Sequence, residues 1–588
     1  MTHESDRWDL SALFKSDAEL EEALIELKRR AEALERRRER LDEVTPQEFQ
    51  ELLRELEAYY DLASRVRAYA ALRFYENSND ESAQALFARV TSLLSELASR
   101  LVFFEVWWKS LPEEQAKKLL AAAGERYRYW LEKLLAWRPH TLSEEAERAV
   151  RLKDVAAKAH AKTYSVLNNR YRISFEVAGE RVTIQRSELM KYTHHKDPAV
   201  RRAAYEAALG LFAEESLVLG ELYRLVVLDW RNEYLNLRGF PRPISARNKM
   251  NDLPDEVVEA LLMAVSEEAG VFRDYFRLKA KALGAEKLSR YDLFAPLGEK
   301  KRQFSFDEAL KRVEAAFRRF DPEFAELALK VVHEGHIDVY PRPGKRSGAF
   351  SYGPAPGVTP YLLLNFQGEA RDVATLAHEL GHAVHSLLAA HHPIFTFHAP
   401  LPLAETASTF AELILTDALL AEEKDPEIKA SIIAQQLENA YATIARQAYF
   451  ARFEMKAHDL LAGGSPLAAV HEAYFESLKE HLGDAVTLPE AFRYEWLMVP
   501  HFYHTPFYVY AYAFGQLLVF SLYQRYREEG PAFVPRLKKI LSAGGSAPPA
   551  EIFAEIGFDI SKVEFWRRGF LPLKERVAEL EELLFTSR

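Results

Sequence analysis

Apolar residues along this chain recur mostly at helical spacing. Between residues 18 and 167 the pattern is that of long helices, some heavily charged (18–41) and some rich in aromatics (101–108). Strict alternation replaces it over 171–184, on both sides of Gly179, and predicts a β-hairpin. Helical periodicity resumes near Asp197, and Asn-Asp-Leu-Pro-Asp at 251–255 reads as a helix start. Residues 337–366 differ, with short strand candidates at 337–340 and 361–366 separated by a run of prolines and glycines. They lead into a helix at about 372–390, closed by Pro393, and a second helix begins near Pro402. From there the chain is again helical, with loops at 463–466 and 544–548. The expected class is therefore mainly α, with a small sheet next to the 372–390 helix. A chain of 588 residues exceeds one ordinary core, so two or more packed subdomains are expected.

Composition narrows the function. The net charge of −11 argues against nucleic-acid binding, and the basic run at 36–40 is interleaved with acids as on a solvated helix face. The absence of cysteine excludes disulfides, thiolate metal sites and a cysteine nucleophile, and fits a reducing compartment. No basic run followed by an apolar stretch opens the sequence, so no secretory signal is expected. Residues 505–524 are uncharged and long enough to cross a bilayer, but Pro506, Gly515, Gln516 and four tyrosines interrupt them. A buried helix near a polar site is the better reading, and no membrane association is expected.

The chemistry lies in the 372–390 helix, where residues 378–382 read His-Glu-Leu-Gly-His. His378 and His382, four apart, share a helix face and can bind one metal ion; Glu379 can reach a water on that ion without being a ligand. With 18 histidines in the chain, chance supplies fewer than ~0.1 such matches. A third ligand ten residues after His378 is excluded, because Leu388 stands there. The remaining choice is a glutamate from the following helix: Glu405, or Glu412 seven residues on, which could instead orient a ligand imidazole. His385 reads as a core or supporting residue. His333-Glu334-Gly335-His336 imitates the motif with one spacer too few, at a helix end entering a strand. The segment 501–512 concentrates His and Tyr in an apolar stretch; it reads as an aromatic core layer or as a supplier of hydrogen bonds to a developing oxyanion.

These blocks, in this order, resemble the oligoendopeptidase F branch of the thimet-oligopeptidase-like (M3) metallopeptidases. The similarity is carried by residues 8–14 (Trp-Asp-Leu-Ser-Ala-Leu-Phe), 344–353, 360–366, 372–385, 405–408 and 501–512. It implies an elongated, two-lobed helical ellipsoid with a deep substrate channel and a thermolysin-like H-E-x-x-H core. Residues 1–195 would form one channel wall and 196–588 the catalytic domain. It also implies one zinc ion on His378, His382 and Glu405, with Glu379 as general base. His501 and Tyr510 are the implied oxyanion and substrate donors. Tyr503 would share a helix face with Tyr510, and Tyr508 stands in reserve. The strand at 361–366 is expected to offer an edge to an extended peptide, and the loop at 347–353 to touch it. The expected enzyme is a cytoplasmic zinc endopeptidase acting on short peptides. The rivals are a metallocarboxypeptidase of related helical fold and a catalytically silent peptide-binding protein. The sequence leaves the oligomeric state open.

Overall fold

The computed structural model describes residues 7–157, 159–298 and 302–585. Helices dominate and the strands are few and short. The chain packs as two compact units, neither of them continuous in sequence. One comprises Met1–Pro139, Lys301–Ala421 and Arg525–Gly557; the other comprises His140–Lys300, Glu422–Gln524 and Phe558–Arg588.

In the first unit, helices Asp17–Arg37, Pro46–Glu76 and Glu81–Ser110 build an aromatic core that includes Phe49 stacked on Trp108, with centroids 5.4 Å apart. Thr45 and Glu48 cap the second of these helices reciprocally, satisfying two otherwise orphaned N–H groups. The same core reaches Tyr361 and Leu363 of a three-stranded sheet. In that sheet Tyr361–Leu363 is the central strand, parallel to Ile337–Asp338 and antiparallel to Phe350–Tyr352. All three of its residues are buried. The expected open edge at 361–366 is therefore corrected: the backbone of Tyr361–Leu363 has a strand on each side, and the outer strand next to it is Phe350–Tyr352. The loop joining the strands is fastened by Asp338, which is fully buried and binds Arg342 through both oxygens at 2.6 Å and Lys345 at 2.6 Å.

The helix carrying the motif runs Ala370–Leu388, within two residues of expectation. Glu369 and Asp372 form a capping box at its start, and Val373, Leu376, Ala377, Leu380, Ala383 and Val384 face its core side.

In the second unit the expected hairpin is present, pairing Ile173–Val177 with Glu180–Ile184. Its two-residue turn has positive φ at both Ala178 (53°) and Gly179 (84°), as the twist of a tight hairpin requires. Ile173, Phe175 and Ile184 pack on Ala204 and Ala208 of helix Pro198–Glu214. The uncharged stretch at 505–524 belongs largely to helix Tyr510–Glu529. Among the described residues no helix is long and apolar enough to cross a membrane.

Candidate metal centre and histidine–tyrosine cluster

His378, His382 and Glu405 converge in the first unit, with one ligand atom of each within 4.8 Å of the others. The two Nε2 atoms lie 3.1 Å apart, and Glu405 Oε2 lies 3.2 Å from that of His378 and 3.3 Å from that of His382. Donors on a tetrahedral ion with bonds of about 2.0–2.1 Å sit about 3.4 Å from one another, so this set fits a zinc-type site with a fourth position left open. Glu405 occupies the junction between the short helix Leu401–Ala404 and helix Thr406–Glu422. Ser408 Oγ donates to its Oε2 at 3.0 Å.

Glu412, two turns along, grips His378 from the other side through Nδ1. With Nδ1 engaged by Glu412, Nε2 faces Glu405 and His382, the arrangement by which a carboxylate can orient an imidazole toward a metal. Burial alone would lower the His378 pKa, but Glu405 and Glu412 outweigh it and carry it up to about 10. Burial raises the Glu405 carboxyl, yet the two histidines win and hold it well below the usual range. Glu379 is 6% exposed, and burial pushes its pKa up against the opposing pull of His378 and His382, with Glu405 and Glu412 adding to the rise. A carboxylate poised this way is a stronger proton acceptor than a solvated one.

The approach of the two helices depends on Gly381, the fourth residue of the motif. A Cβ there would stand 2.6 Å from Ser408 Cα and 2.7 Å from the Ala407 carbonyl oxygen. His385 is buried, and that burial depresses its pKa to about 4, leaving it neutral beneath the site. At the imitation motif, His336 stacks on Tyr361 at 4.0 Å and its Nδ1 meets the Thr359 carbonyl at 3.0 Å, a structural arrangement.

The His/Tyr segment lies in the second unit. His501 stacks parallel to Tyr508 with centroids 5.8 Å apart, and Tyr512 stands edge-on to both. The Tyr512 hydroxyl lies 3.3 Å from His501 Nε2. Burial and the nearby His504 and Arg446 charges lower the His501 pKa, which favours the neutral ring. Tyr510 is fully buried, and its hydroxyl accepts a hydrogen bond from Asn251 Nδ2 at 2.8 Å. Tyr503 is 2% exposed and stacks on Tyr164 at 3.8 Å. The structure thus groups His501 with Tyr508 and Tyr512, and packs Tyr503 and Tyr510 away from them. Sequence reasoning passed over Tyr512, although it stands four residues beyond Tyr508.

Comparison with known proteins agrees with this geometry. The model of peptidase family M3 matches residues 191–571, and that of oligopeptidase F matches residues 107–171. The chain belongs to peptidase family M3. Group B oligopeptidase PepB of Streptococcus agalactiae is 28% identical over 98% of this chain and 97% of its own. Oligopeptidase PepF of Bacillus subtilis is 26% identical over 98% and 87%. Among solved structures, a Chlamydophila abortus protein superposes with a TM-score of 0.90 at 24% identity over 98% of both chains. Oligoendopeptidase-F from Enterococcus faecium gives 0.71 at 24%, covering 96% of this chain and 99% of its own. This M3 protein is a metalloendopeptidase, and the family implies peptide substrates.

Proposed function

We propose that this protein is a zinc endopeptidase that cuts internal bonds of short, unstructured peptides. The observation that carries the proposal is the convergence of His378, His382 and Glu405 on one point, in a spacing that suits one zinc ion. Zinc held there would polarise the scissile carbonyl and acidify a water beside Glu379. Glu379 takes the proton of the attacking water and delivers it to the leaving nitrogen. Glu412 keeps the His378 ring in register through both steps. His501, with Tyr508 or Tyr512, donates to the oxyanion. The partial exposure of these three groups favours them over Tyr503 and Tyr510, whose hydroxyls are enclosed. Strand Phe350–Tyr352 would hold the peptide through backbone hydrogen bonds, a contact indifferent to side-chain sequence.

The division of labour expected from the sequence belongs to the same proposal, with residues 1–195 shaping substrate access and 196–588 carrying the chemistry. So does action in the cytoplasm, which cell fractionation tests. Mass spectrometry of a peptide blocked at both ends tests the reaction type: internal cuts support the endopeptidase, whereas failure to cut until the C-terminus is freed would mean a carboxypeptidase. His501→Ala, Tyr508→Phe and Tyr512→Phe are expected to lower kcat more than they raise KM. Unchanged rates in all three would remove the oxyanion role from this cluster.

A further inference from the structure

A single peptide bond in the second unit is held from both sides, by an arginine and by a buried carboxyl group. The carbonyl of Pro506 accepts a hydrogen bond from Arg247 Nε at 3.0 Å. The N–H of Phe507, on the opposite side of the same peptide plane, points between the two carboxyl oxygens of Glu454, at 3.0 and 3.2 Å. Phe507 is in the left-handed region with φ 58°, one of three non-glycine residues with positive φ among those described. That conformation costs an L-residue about 1–2 kcal/mol and persists only where the surroundings fix it.

The surroundings do so here. Glu454 is completely buried on helix Arg446–Ala462, and among the described residues its side chain makes no other hydrogen bond. Burial pushes its pKa up to about 8, against the pull of the Phe507 N–H and Arg247. Burying a carboxyl group with so few partners is unfavourable, which speaks for a local task. Arg247, on helix Pro243–Met250, lies over the Trp230 ring at 5.4 Å. The Phe507 ring is fully buried between Trp230 (6.1 Å) and His458 (4.6 Å).

The clamped bond separates helix Pro500–His504, which carries His501, from helix Tyr510–Glu529, which carries Tyr512. Its orientation sends the Phe507 side chain into the core and the next residue, Tyr508, back across His501. Without the left-handed step, the chain would continue with a different phase, and the parallel His501–Tyr508 stack would not form.

We propose that Glu454 and Arg247 are positioning residues, which clamp the Pro506–Phe507 peptide and thereby set Tyr508 and Tyr512 against His501. The functional part of this rests on the reading above, that the His501 cluster serves the reaction. Neither residue touches substrate; each acts through the backbone.

The test uses the full-length, metal-loaded protein. Glu454→Leu and Arg247→Met are expected to lower kcat about 10–100-fold, with KM changed less than about 3-fold and metal content unaltered. Glu454→Gln keeps an acceptor for the Phe507 N–H and should recover kcat to within about 3-fold of the parent. A crystal structure of Glu454→Leu should show Phe507 out of the left-handed region and the His501–Tyr508 stack parted. The proposal is overturned if kcat holds in both the Leu and Met variants, if Gln is as damaging as Leu, or if Phe507 keeps its positive φ without the carboxylate. His501→Ala, measured alongside, separates the two ideas. If it lowers kcat while Glu454→Leu and Arg247→Met do not, the clamp fails and the cluster stands. If it leaves kcat unchanged, the reading of the cluster fails and takes the clamp's role with it.

Discussion

Replacing Gly381 by alanine adds one methyl group where the motif helix meets the backbone of helix Thr406–Glu422. The new Cβ would meet Ser408 Cα at 2.6 Å and the Ala407 oxygen at 2.7 Å, about 0.8 Å inside ordinary contact. Both obstacles are backbone, so no side chain can swing aside and the two helices must part. Overpacking of this kind costs about 1–3 kcal/mol, and alanine returns about 1 kcal/mol through its better helix propensity. The net loss is about 1 kcal/mol, a melting shift of about 2 °C for a unit of this size. The consequence for metal is larger. Glu405 and Glu412 ride on the helix that moves, whereas ligand distances tolerate only about 0.2 Å. Metal affinity should fall by at least the 10–100-fold that loss of an orienting partner costs. Competition with graded chelator, read by elemental analysis, measures the affinity; thermal unfolding of the metal-free protein measures the fold. Gly381→Ala with parental metal affinity and parental kcat would refute the reasoning.

Other outcomes follow from the same structure. Glu379→Gln should retain metal and lose about 10²–10⁴-fold in kcat on a blocked peptide, because it removes the proton acceptor and leaves the ligands in place; normal turnover would exclude the proposed base. Glu412→Gln should weaken metal binding about 10–100-fold by freeing the His378 ring, measured by the same chelator competition. Stability should fall between pH 7 and pH 5. Burial depresses the pKa of His458 to about 3 and of His481 to about 4, against about 6.5 unfolded. The unfolded chain therefore takes up these protons first, and each histidine removes on the order of 2 kcal/mol by pH 5. Urea unfolding at the two pH values checks this, and His458→Phe should flatten part of the slope.

Much of the metal site was legible in the sequence because it is local. The i, i+4 spacing of His378 and His382 fixes their shared face, and the short connection brings Glu405 back within reach. Gly381 was not legible as a contact point, since its role appears only when the partner helix is known. The relative placement of the tyrosines was not legible for a related reason. Placing Tyr503 and Tyr510 on one face assumes an unbroken helix, whereas Phe507 turns left-handed between two separate helices and resets the phase. The sheet offers a further case. The continuous apolar run Tyr361-Leu362-Leu363-Leu364 is the mark of a strand covered on both faces, and the structure makes it central rather than an edge.

The central claim, a single zinc ion on His378, His382 and Glu405 that powers internal peptide cleavage, is tested most directly by a zinc titration. Chelator-stripped protein receives increasing zinc while cuts in an end-blocked peptide are mapped by mass spectrometry. The account predicts no cleavage in the stripped protein, activity that rises until one zinc per chain is bound, and cuts confined to internal bonds. Full cleavage in protein shown by elemental analysis to be free of metal would contradict it.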